Sequence, residues 1–366
     1  MNDFTENKNV ARMEEECNEA IAFLGTTSHN EGIQKLIEMA NNHNYYACRK
    51  LGELYYDGNQ VEKNYSEMAK YYHLGALEGD AVCQYRLGCI YRRGEGVPED
   101  YKEAFSWFMK AAEQGNADAQ NNVGYYYDRG IGVETNKSAA IEWLNKAASS
   151  GSMYGQFNLA EKYFDGEDLP QDYAKAFELY KMAAEQGHDQ AQQTVGYCYH
   201  NGYGTSPDSE SANYWYAKAA EQGNDAAQFN LGINYYNGDG VPQDYSSAVY
   251  WLTKSAEQGL ADAQDWLGVC YGLGQGVPVN YDEANKWFIK AAEQGDADAQ
   301  YNLGISYLDG KGYSQDSNKA FYWFMQSAEQ GFSAAQTAIG DCYAKGIGVK
   351  RSMIEAAKWY RKAGKE

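Results

Sequence analysis

The sequence contains no long apolar run, and it is poor in positive charge. No stretch approaches the roughly 18 consecutive apolar residues that a membrane-spanning helix requires, so membrane insertion is not expected. The 366 residues include 51 acidic but only 31 basic ones, for a formal net charge of −20. Because such a chain repels phosphate backbones and anionic lipid headgroups, we expect neither nucleic acid nor a membrane surface as its partner.

The few basic residues are concentrated at the C-terminal end. From Lys345 onward there are seven Lys or Arg and two Glu, so the rest of the chain carries a net charge of about −25. A basic end on an acidic body favours a homo-oligomer formed through the C-terminal end. The first 19 residues are polar and acid-rich, without the basic and then apolar segments of a secretory signal, so we expect a cytoplasmic protein.

The patterns of common catalytic and metal sites are also missing. Neither G-x-S-x-G nor S-x-x-K occurs, so a nucleophilic serine has no recognisable setting. The histidines form no H-E-x-x-H and no His–Cys zinc spacing; they are His29, His43, His73, His188 and His200. The recurring G-x-G segments lack the third glycine and the preceding strand of a dinucleotide loop. The sequence therefore predicts no catalytic residue, no metal site and no cofactor.

A repeat of 36 residues dominates what is present. Its first column is Gly52, Gly88, Gly124, Gly196, Gly232, Gly268, Gly304 and Gly340, with Ala160 in the remaining copy. Tyr stands three residues later in all nine copies, from Tyr55 to Tyr343. Two further columns are occupied mainly by Trp, from Trp107 to Trp359, and by Gln, from Gln84 to Gln336. Nine copies therefore run from about Ala47 to the end of the chain.

Each copy predicts two helices joined by a glycine turn. In helix A, Val123, Gly124 and Tyr127 lie on one stripe at helical spacing, and the helix ends at Gly130. Helix B begins at an acceptor followed three residues later by Glu, as in Asp100-Tyr101-Lys102-Glu103, which is the pattern of a capping box. A single hairpin cannot bury its aromatic residues, so the copies should stack around a continuous core.

Small residues should let the two helices of a copy approach closely. We expect the column glycine, such as Gly124, to lie beneath helix B positions of the Ala111 and Ala112 type. The aromatic side chains would then fill the remaining space.

The combined pattern A-x-x-x-L-G-x-x-Y-x-x-G-x-G-V-x-x-D-Y-x-x-A-x-x-W-x-x-x-A-A-x-x-G resembles the Sel1-like repeat family, which is related to the tetratricopeptide repeats. The resemblance covers about seven-eighths of the chain and implies an all-α, right-handed α-solenoid of about nine 36-residue helix-turn-helix repeats. Residues 1–46 are expected to form an N-terminal helical cap with a degenerate half repeat, with helices near residues 11–24 and 31–42. Residues 47–366 are expected to form one continuous solenoid.

The resemblance implies an adaptor or scaffold for protein–protein interactions and not an enzyme. Some secreted, cysteine-rich members pair two cysteines per repeat and have been described as hydrolysing penicillin-type compounds, so a β-lactamase-like hydrolase is one alternative. A self-assembling structural rod is another. The seven cysteines here do not follow the paired pattern: Cys17, Cys48, Cys83, Cys89, Cys198, Cys270 and Cys342. The last three recur in every second copy, too far apart for disulfides, so we expect buried thiols in a reducing compartment.

A partner would bind the side of helix A that faces away from its core stripe. On a helical wheel, residues 121, 125 and 129 lie on that side, which the tetratricopeptide resemblance places on the concave face. The equivalent positions are often apolar: Tyr85, Tyr125, Tyr197, Phe229, Ile233, Val269, Tyr301 and Ile305. They predict a groove for a peptide or protein segment, and the net charge favours a basic one. Partial burial between adjacent helices is the alternative explanation.

Overall fold

Helices account for all the regular secondary structure in this computed structural model, which describes residues 2–26 and 28–364, with side chains from residue 11 onward. That part of the chain contains twenty helices and no strand. The predicted all-α repeat fold is therefore confirmed. The chain divides between His188 and Asp189 into two compact units. None of the helices in the described residues has both the length and the apolar character needed to cross a bilayer.

The first unit begins with two helices that precede the repeats. The helix predicted near residues 11–24 begins earlier, at Asn2, and the one predicted at 31–42 spans His29–Asn41. Buried Cys17, Leu36 and Leu51 belong to one cluster, so both helices pack onto the first repeat. The helices of this unit are α1 (Asn2–Ala22), α2 (His29–Asn41), α3 (Tyr45–Asp57), α4 (Tyr65–Leu77), α5 (Ala81–Arg93), α6 (Tyr101–Glu113), α7 (Ala117–Arg129), α8 (Lys137–Ser149), α9 (Met153–Asp165) and α10 (Tyr173–Glu185).

The second unit continues the alternation of helix A and helix B. Its helices are α11 (Asp189–Asn201), α12 (Ser209–Glu221), α13 (Asp225–Asn237), α14 (Tyr245–Gln258), α15 (Ala261–Leu273), α16 (Tyr281–Glu293), α17 (Ala297–Asp309), α18 (Ser317–Glu329), α19 (Ser333–Lys345) and α20 (Met353–Lys362). From α3 onward, the odd-numbered helices are helices A and the even-numbered ones are helices B. The division into a cap at 1–46 and one continuous solenoid at 47–366 stays a prediction.

The turn between helix A and helix B forms largely as predicted. Gly130 caps α7 with a φ of 69°, a left-handed conformation that glycine adopts without steric cost. At the start of α6, the Asp100 carboxylate accepts the backbone N–H groups of Lys102 and Glu103. The reciprocal capping-box contact from Glu103 does not form, because the Asp100 N–H donates to the Tyr91 carbonyl at 2.9 Å. The same bond from the helix B N-cap to the column tyrosine recurs in all nine repeats.

The column glycine has a different neighbour from the one predicted. A Cβ on Gly304 would lie 2.4 Å from the ring of Phe324, and a Cβ on Gly124 would lie 2.9 Å from Leu144. Both neighbours directly follow the Trp column of helix B, so the glycine faces that bulky side chain and not the alanines. The helices do approach closely, since the Gly124 Cβ would also lie 3.2 Å from the Ala140 carbonyl.

The second glycine of each G-x-G turn packs against the preceding repeat. A Cβ on Gly96 would lie 2.1 Å from the Tyr65 carbonyl oxygen, and one on Gly276 would lie 2.2 Å from that of Tyr245. Both glycines have positive φ. Glycine is therefore required at these positions for two reasons: the positive φ of the turn, and the close approach of the preceding repeat, which leaves no space for a Cβ.

The Gln column forms a hydrogen-bonded ladder along the repeats. Gln84, for example, donates to a carbonyl of the preceding helix B and accepts from Gln114, thirty residues later. We call these contacts the glutamine ladder; its pairs are Gln114–Gln84, Gln186–Gln156, Gln222–Gln192, Gln258–Gln228, Gln294–Gln264 and Gln330–Gln300. Ser150 stands where the partner of Gln120 would be, and the buried Gln120 Oε1 has no hydrogen-bond partner among the described residues.

The three regularly spaced cysteines are buried thiols, as predicted. Cys198, Cys270 and Cys342 are free and almost fully enclosed. Burial raises the pKa of Cys198 to about 12 and those of Cys270 and Cys342 to about 11. These thiols therefore remain protonated at neutral pH and are poor nucleophiles.

The last helix is less covered than the other helices B. In α20 only Ala356 is buried, whereas Met353 and Ile354 are exposed. Contact of this basic end with a second copy stays a prediction.

Candidate partner-binding surfaces

The predicted partner-binding residues occupy two positions of helix A. We name the positions after α7: the Asn121 column contains Tyr85, Asn121, Phe157, Gln193, Phe229, Asp265, Tyr301 and Thr337, and the Tyr125 column contains Cys89, Tyr125, Glu161, Tyr197, Ile233, Val269, Ile305 and Asp341. In α7, Tyr126 is fully buried and Tyr127 only half-buried, so the core stripe is centred closer to Tyr126 than the sequence suggested. Tyr125 nevertheless points outward, with 44% of its surface exposed.

In the first unit, the two predicted residues have different surroundings. Tyr85 is half-buried, and its ring centroid lies 5.9 Å from that of Phe108 in its own helix B. Burial is the main cause that raises the pKa of Tyr85. Tyr125 instead lines a cavity of about 220 Å³ together with Phe157 and Glu161. The structure therefore does not bring Tyr85 and Tyr125 into one pocket.

Ion-paired side chains line part of that cavity. Asp128 accepts hydrogen bonds from Lys137 at 2.7 Å and from Lys162 at 2.8 Å, and Lys162 also binds Asp168 at 2.7 Å. Burial alone would raise the pKa of Asp128, but the bonds from the two lysines outweigh it and lower that pKa. Charges of both signs therefore line this cavity.

In the second unit, three predicted residues line one pocket. Tyr197, Phe229 and Ile233 surround a cavity of about 290 Å³ that is completed by Trp266 and by the residues His200, Asn201, Tyr216, Asn230 and Asn234. Tyr197 is 40% exposed, while Phe229 and Ile233 are half-buried against the cluster around Leu252. Except for Tyr216 of α12, the lining comes from the helices A α11, α13 and α15.

The three remaining predicted residues pack mainly within the repeats. Val269 contacts the cluster around Phe288, and Tyr301 and Ile305 contact the cluster around Phe324. The Tyr301 ring centroid lies 5.6 Å from that of Phe324. The alternative of partial burial therefore describes these residues and Tyr85. The ring contacts of Tyr85 and Tyr301 include the helix B of the same repeat, and the Tyr301 ring also lies 5.5 Å from that of Phe332, the N-cap of the adjacent helix A, α19. Whether they also contact a partner stays a prediction.

The helices A of the two units differ in charge. The sequences of α11, α13, α15 and α17 contain no Lys or Arg, and their carboxylates are Asp189, Asp225, Asp262, Asp265, Asp298 and Asp309. In contrast, α3, α5, α7 and α9 carry the basic residues Arg49, Lys50, Arg86, Arg92, Arg93, Arg129 and Lys162. Along α11, α13, α15 and α17, therefore, no Lys or Arg of the same helix balances the negative charge.

Asp265 is the most buried of these carboxylates, with 6% of its surface exposed. It stands in the Asn121 column, and its Oδ1 accepts a hydrogen bond from Asn302 at 2.8 Å. Burial raises the pKa of Asp265 to about 7; the bond from Asn302 opposes the shift, and the charges of Asp296, Asp298 and Asp262 add to it. A cation close to this carboxylate would stabilise its ionised form.

Sequence reasoning missed several residues of these surfaces. Phe157 belongs to the Asn121 column and could have been found by its register, whereas Trp266 lies one position outside that column and only packing brings it to the pocket. Exposed tyrosines on helix B were also missed; they are Tyr214, Tyr250 and Tyr322, each beside a residue of the Trp column. Their spacings of 36 and 72 residues, one and two repeats, were visible in the sequence.

No group of three or more His, Cys, Asp or Glu side chains in the described part of the chain is arranged to hold a metal ion.

The comparisons with known proteins point to one family. The family model for the Sel1 repeat matches residues 46–80, 81–116, 117–152, 154–188, 190–224, 225–260, 261–296, 297–332 and 333–366. No curated protein sequence matches the chain.

Two solved crystal structures are similar over most of the chain. A protective antigen present in uropathogenic Escherichia coli strains, which displays an SLR fold, is 37% identical with a TM-score of 0.84; the match covers 98% of this chain and 77% of that one. A Sel1 repeat protein from Oxalobacter formigenes is 31% identical with a TM-score of 0.57, over 84% of this chain and 89% of that one.

Proposed function

Because the chain belongs to the Sel1 repeat family, whose members are generally scaffolds for protein interactions and typically not enzymes, we propose that it is an adaptor that holds a segment of a partner protein on its helices A. The observation that carries this proposal is the pocket formed by Tyr197, Phe229, Ile233 and Trp266. Aromatic and aliphatic side chains around a concave site are typical of surfaces that anchor a partner's side chain.

The exposed tyrosines of the Tyr125 column support the same proposal. Tyr125 and Tyr197 occupy equivalent positions in separate repeats, and both are at least 40% exposed. Tyrosine offers a large contact area with few rotatable bonds, and its hydroxyl group can donate or accept a hydrogen bond. The tyrosines of the adaptor would therefore lose little side-chain entropy when a partner segment binds there.

We place this function in the cytoplasm. The support comes from the cysteines: all seven are free, six of them are buried, and Cys89 is half-buried. Free thiols persist in a reducing compartment, whereas secreted repeat proteins commonly pair them.

A photo-crosslinking experiment tests the helix A surface. The photoreactive residue p-benzoylphenylalanine would replace Tyr125 or Tyr197 on helix A, or Tyr214 or Tyr250 on helix B, in separate variants. All four tyrosines are exposed in the structure, so each replacement should be tolerated. After irradiation of cells that produce the protein, crosslinked partners would be identified by mass spectrometry.

The proposal expects a specific protein to crosslink at the helix A positions several times more strongly than at the helix B positions. It fails if the helix B variants capture the same protein equally well, or if the helix A variants capture only background.

A further inference from the structure

Resting on the proposed function, we propose that the helices A α11, α13, α15 and α17 bind a partner segment in which an apolar side chain is flanked by Lys or Arg. The apolar side chain would enter the pocket between Tyr197, Phe229 and Trp266. The basic side chains would contact the exposed carboxylates of Asp262 and Asp298 and lie close to the buried carboxylate of Asp265.

The size and lining of the pocket support an apolar anchor. A cavity of about 290 Å³ is small beside the sites that enclose whole drug-sized ligands, so it suits part of a peptide, such as one large side chain. The Trp266 ring lies 5.0 Å from the Tyr236 ring, and Phe229 and Ile233 rest on the cluster around Leu252. These walls are held by packing, which limits the entropy lost when a partner binds.

The charge of this surface identifies the flanking residues. The four basic residues between positions 189 and 300 all lie on helices B: Lys218, Lys254, Lys286 and Lys290. Along α11, α13, α15 and α17 a partner therefore meets aspartates but no Lys or Arg. An acidic segment would be repelled there, whereas a basic segment would be attracted and oriented. The helices A of the first unit, which carry seven basic residues, lack this preference.

Asp265 is the carboxylate next in sequence to a residue that lines the pocket. It precedes Trp266 on α15, and in the Asn121 column it stands between Phe229 and Tyr301. Because Asp265 is poorly hydrated, its interaction with a cationic side chain would be stronger than that of an exposed carboxylate. Asp262 and Asp298 are exposed and lie near enough to raise the pKa of Asp265, so they extend the same negative region to the surface.

Synthetic peptides test this inference directly. The probe is a short fluorescein-labelled Gly/Ser peptide with a central Trp and two Lys on each side. One control peptide replaces Lys by Glu, and a second replaces the Trp by Ser. Binding to the full chain would be measured by fluorescence anisotropy at low and high salt at pH 8, where Asp265, with a pKa of about 7, is mostly ionised.

Protein variants separate the two parts of the site. We expect Phe229→Ala to weaken binding of the Trp/Lys peptide about tenfold or more. Because Phe229 is half-buried, the exposed Tyr197→Ala provides a second pocket variant with less risk to folding. Thermal unfolding would confirm that both variants fold.

Matched charge variants test the acidic region. We expect Asp262→Asn combined with Asp298→Asn to weaken binding about three- to tenfold and to reduce its salt dependence. The control, Glu257→Gln combined with Glu293→Gln, removes the same number of charges from exposed positions of α14 and α16 and should leave binding unchanged. Asp265→Asn should weaken binding while preserving the bond to Asn302, because Asn121 accepts the same bond from Asn158 in the first unit.

The inference is overturned if the Glu peptide binds as well as the Lys peptide, if the Ser peptide binds as well as the Trp peptide, or if the helix B charge variant weakens binding as much as the helix A one. Absence of peptide binding would also overturn it. If crosslinking at Tyr197 still captured a partner, the adaptor function would survive and only the basic, apolar character of the segment would be wrong.

Discussion

At the scale of single residues, the glutamine ladder has one broken contact. The Gln120 Nε2 donates to the Ala112 carbonyl at 3.2 Å, but its buried Oε1 has no partner among the described residues, because Ser150 replaces the Gln found in other repeats. We expect Ser150→Gln to raise the free energy of unfolding by about 1 kcal/mol by satisfying this acceptor. Urea unfolding followed by circular dichroism measures the change.

The control for this prediction is the same substitution in a Gln120→Ala background. There the acceptor is gone, so Ser150→Gln should have almost no effect. An equal gain in both backgrounds would show that the added side chain acts through some other contact.

Asp265 makes stability depend on pH in a defined window. The pKa of Asp265 is about 7 in the folded chain and about 4 in the unfolded chain. Between these values the folded chain binds a proton at Asp265 that the unfolded chain does not, and the stability that this proton contributes is lost as the pH rises through that interval. Asp265→Asn should therefore be more stable than the wild type at pH 8 by about 2–4 kcal/mol, with a much smaller difference near pH 4. Urea unfolding across this pH range checks the prediction.

Exposed Glu257→Gln is the control for that experiment, because it removes a carboxylate from the same unit without removing a buried one. If Asp265→Asn and wild type show parallel stability curves from pH 4 to pH 8, Asp265 does not carry the raised pKa.

The sequence predicted these residue-scale features unevenly. Register alone placed Tyr197, Phe229 and Ile233 on the same side of helix A, and the structure brings them together. Register did not separate them from Tyr301, which has the same periodicity but packs on Phe324. The difference arises from the size and direction of side chains on neighbouring helices. A helical wheel of a single helix does not show those side chains.

At the scale of elements, the close contact of helix A with helix B depends on the column glycine. We expect Gly304→Ala to lower the free energy of unfolding by about 1–3 kcal/mol, because the new Cβ would lie 2.4 Å from the Phe324 ring. Gly272→Ala is the matched control: it lies inside α15, and its Cβ would meet only the Ala284 Cβ at 3.9 Å.

This control should be neutral or gain up to about 1 kcal/mol from the higher helix propensity of alanine. Urea unfolding of both variants gives the comparison. Equal effects of the two substitutions would mean that the loss at Gly304 reflects backbone freedom and not the contact with Phe324.

The helices themselves were predictable, and their partners less so. Helix A ends at Gly130 and the Asp100 side chain caps helix B, because both features depend on local backbone geometry. The partner of the column glycine and the bond from the Asp100 N–H to Tyr91 were not predicted. Both are contacts between different segments of the chain. The spacing of residues in the sequence restricts which pairs can meet, but it does not determine which pair does.

At the scale of the whole molecule, each helix contacts chiefly the helices next to it in sequence within its own unit. A local defect should therefore remain local, as in other repeat proteins. In the Gly304→Ala variant we expect faster amide hydrogen exchange in α16–α19, while α12 and α13 exchange as in the wild type. Hydrogen exchange followed by mass spectrometry measures this. A uniform increase throughout residues 189–364 would indicate that the unit opens as one cooperative block.

The sequence by itself determined the repeat length, the two helices of each repeat, their caps and the excess of negative charge. These features follow from local backbone preferences and composition, which act within a few residues. Only the tertiary structure decided that Trp266 joins Tyr197 and Phe229 in a pocket, and that Asp265 is buried with a raised pKa. Such features depend on which side chains of different helices exclude water from one another, and that is decided when the repeats pack.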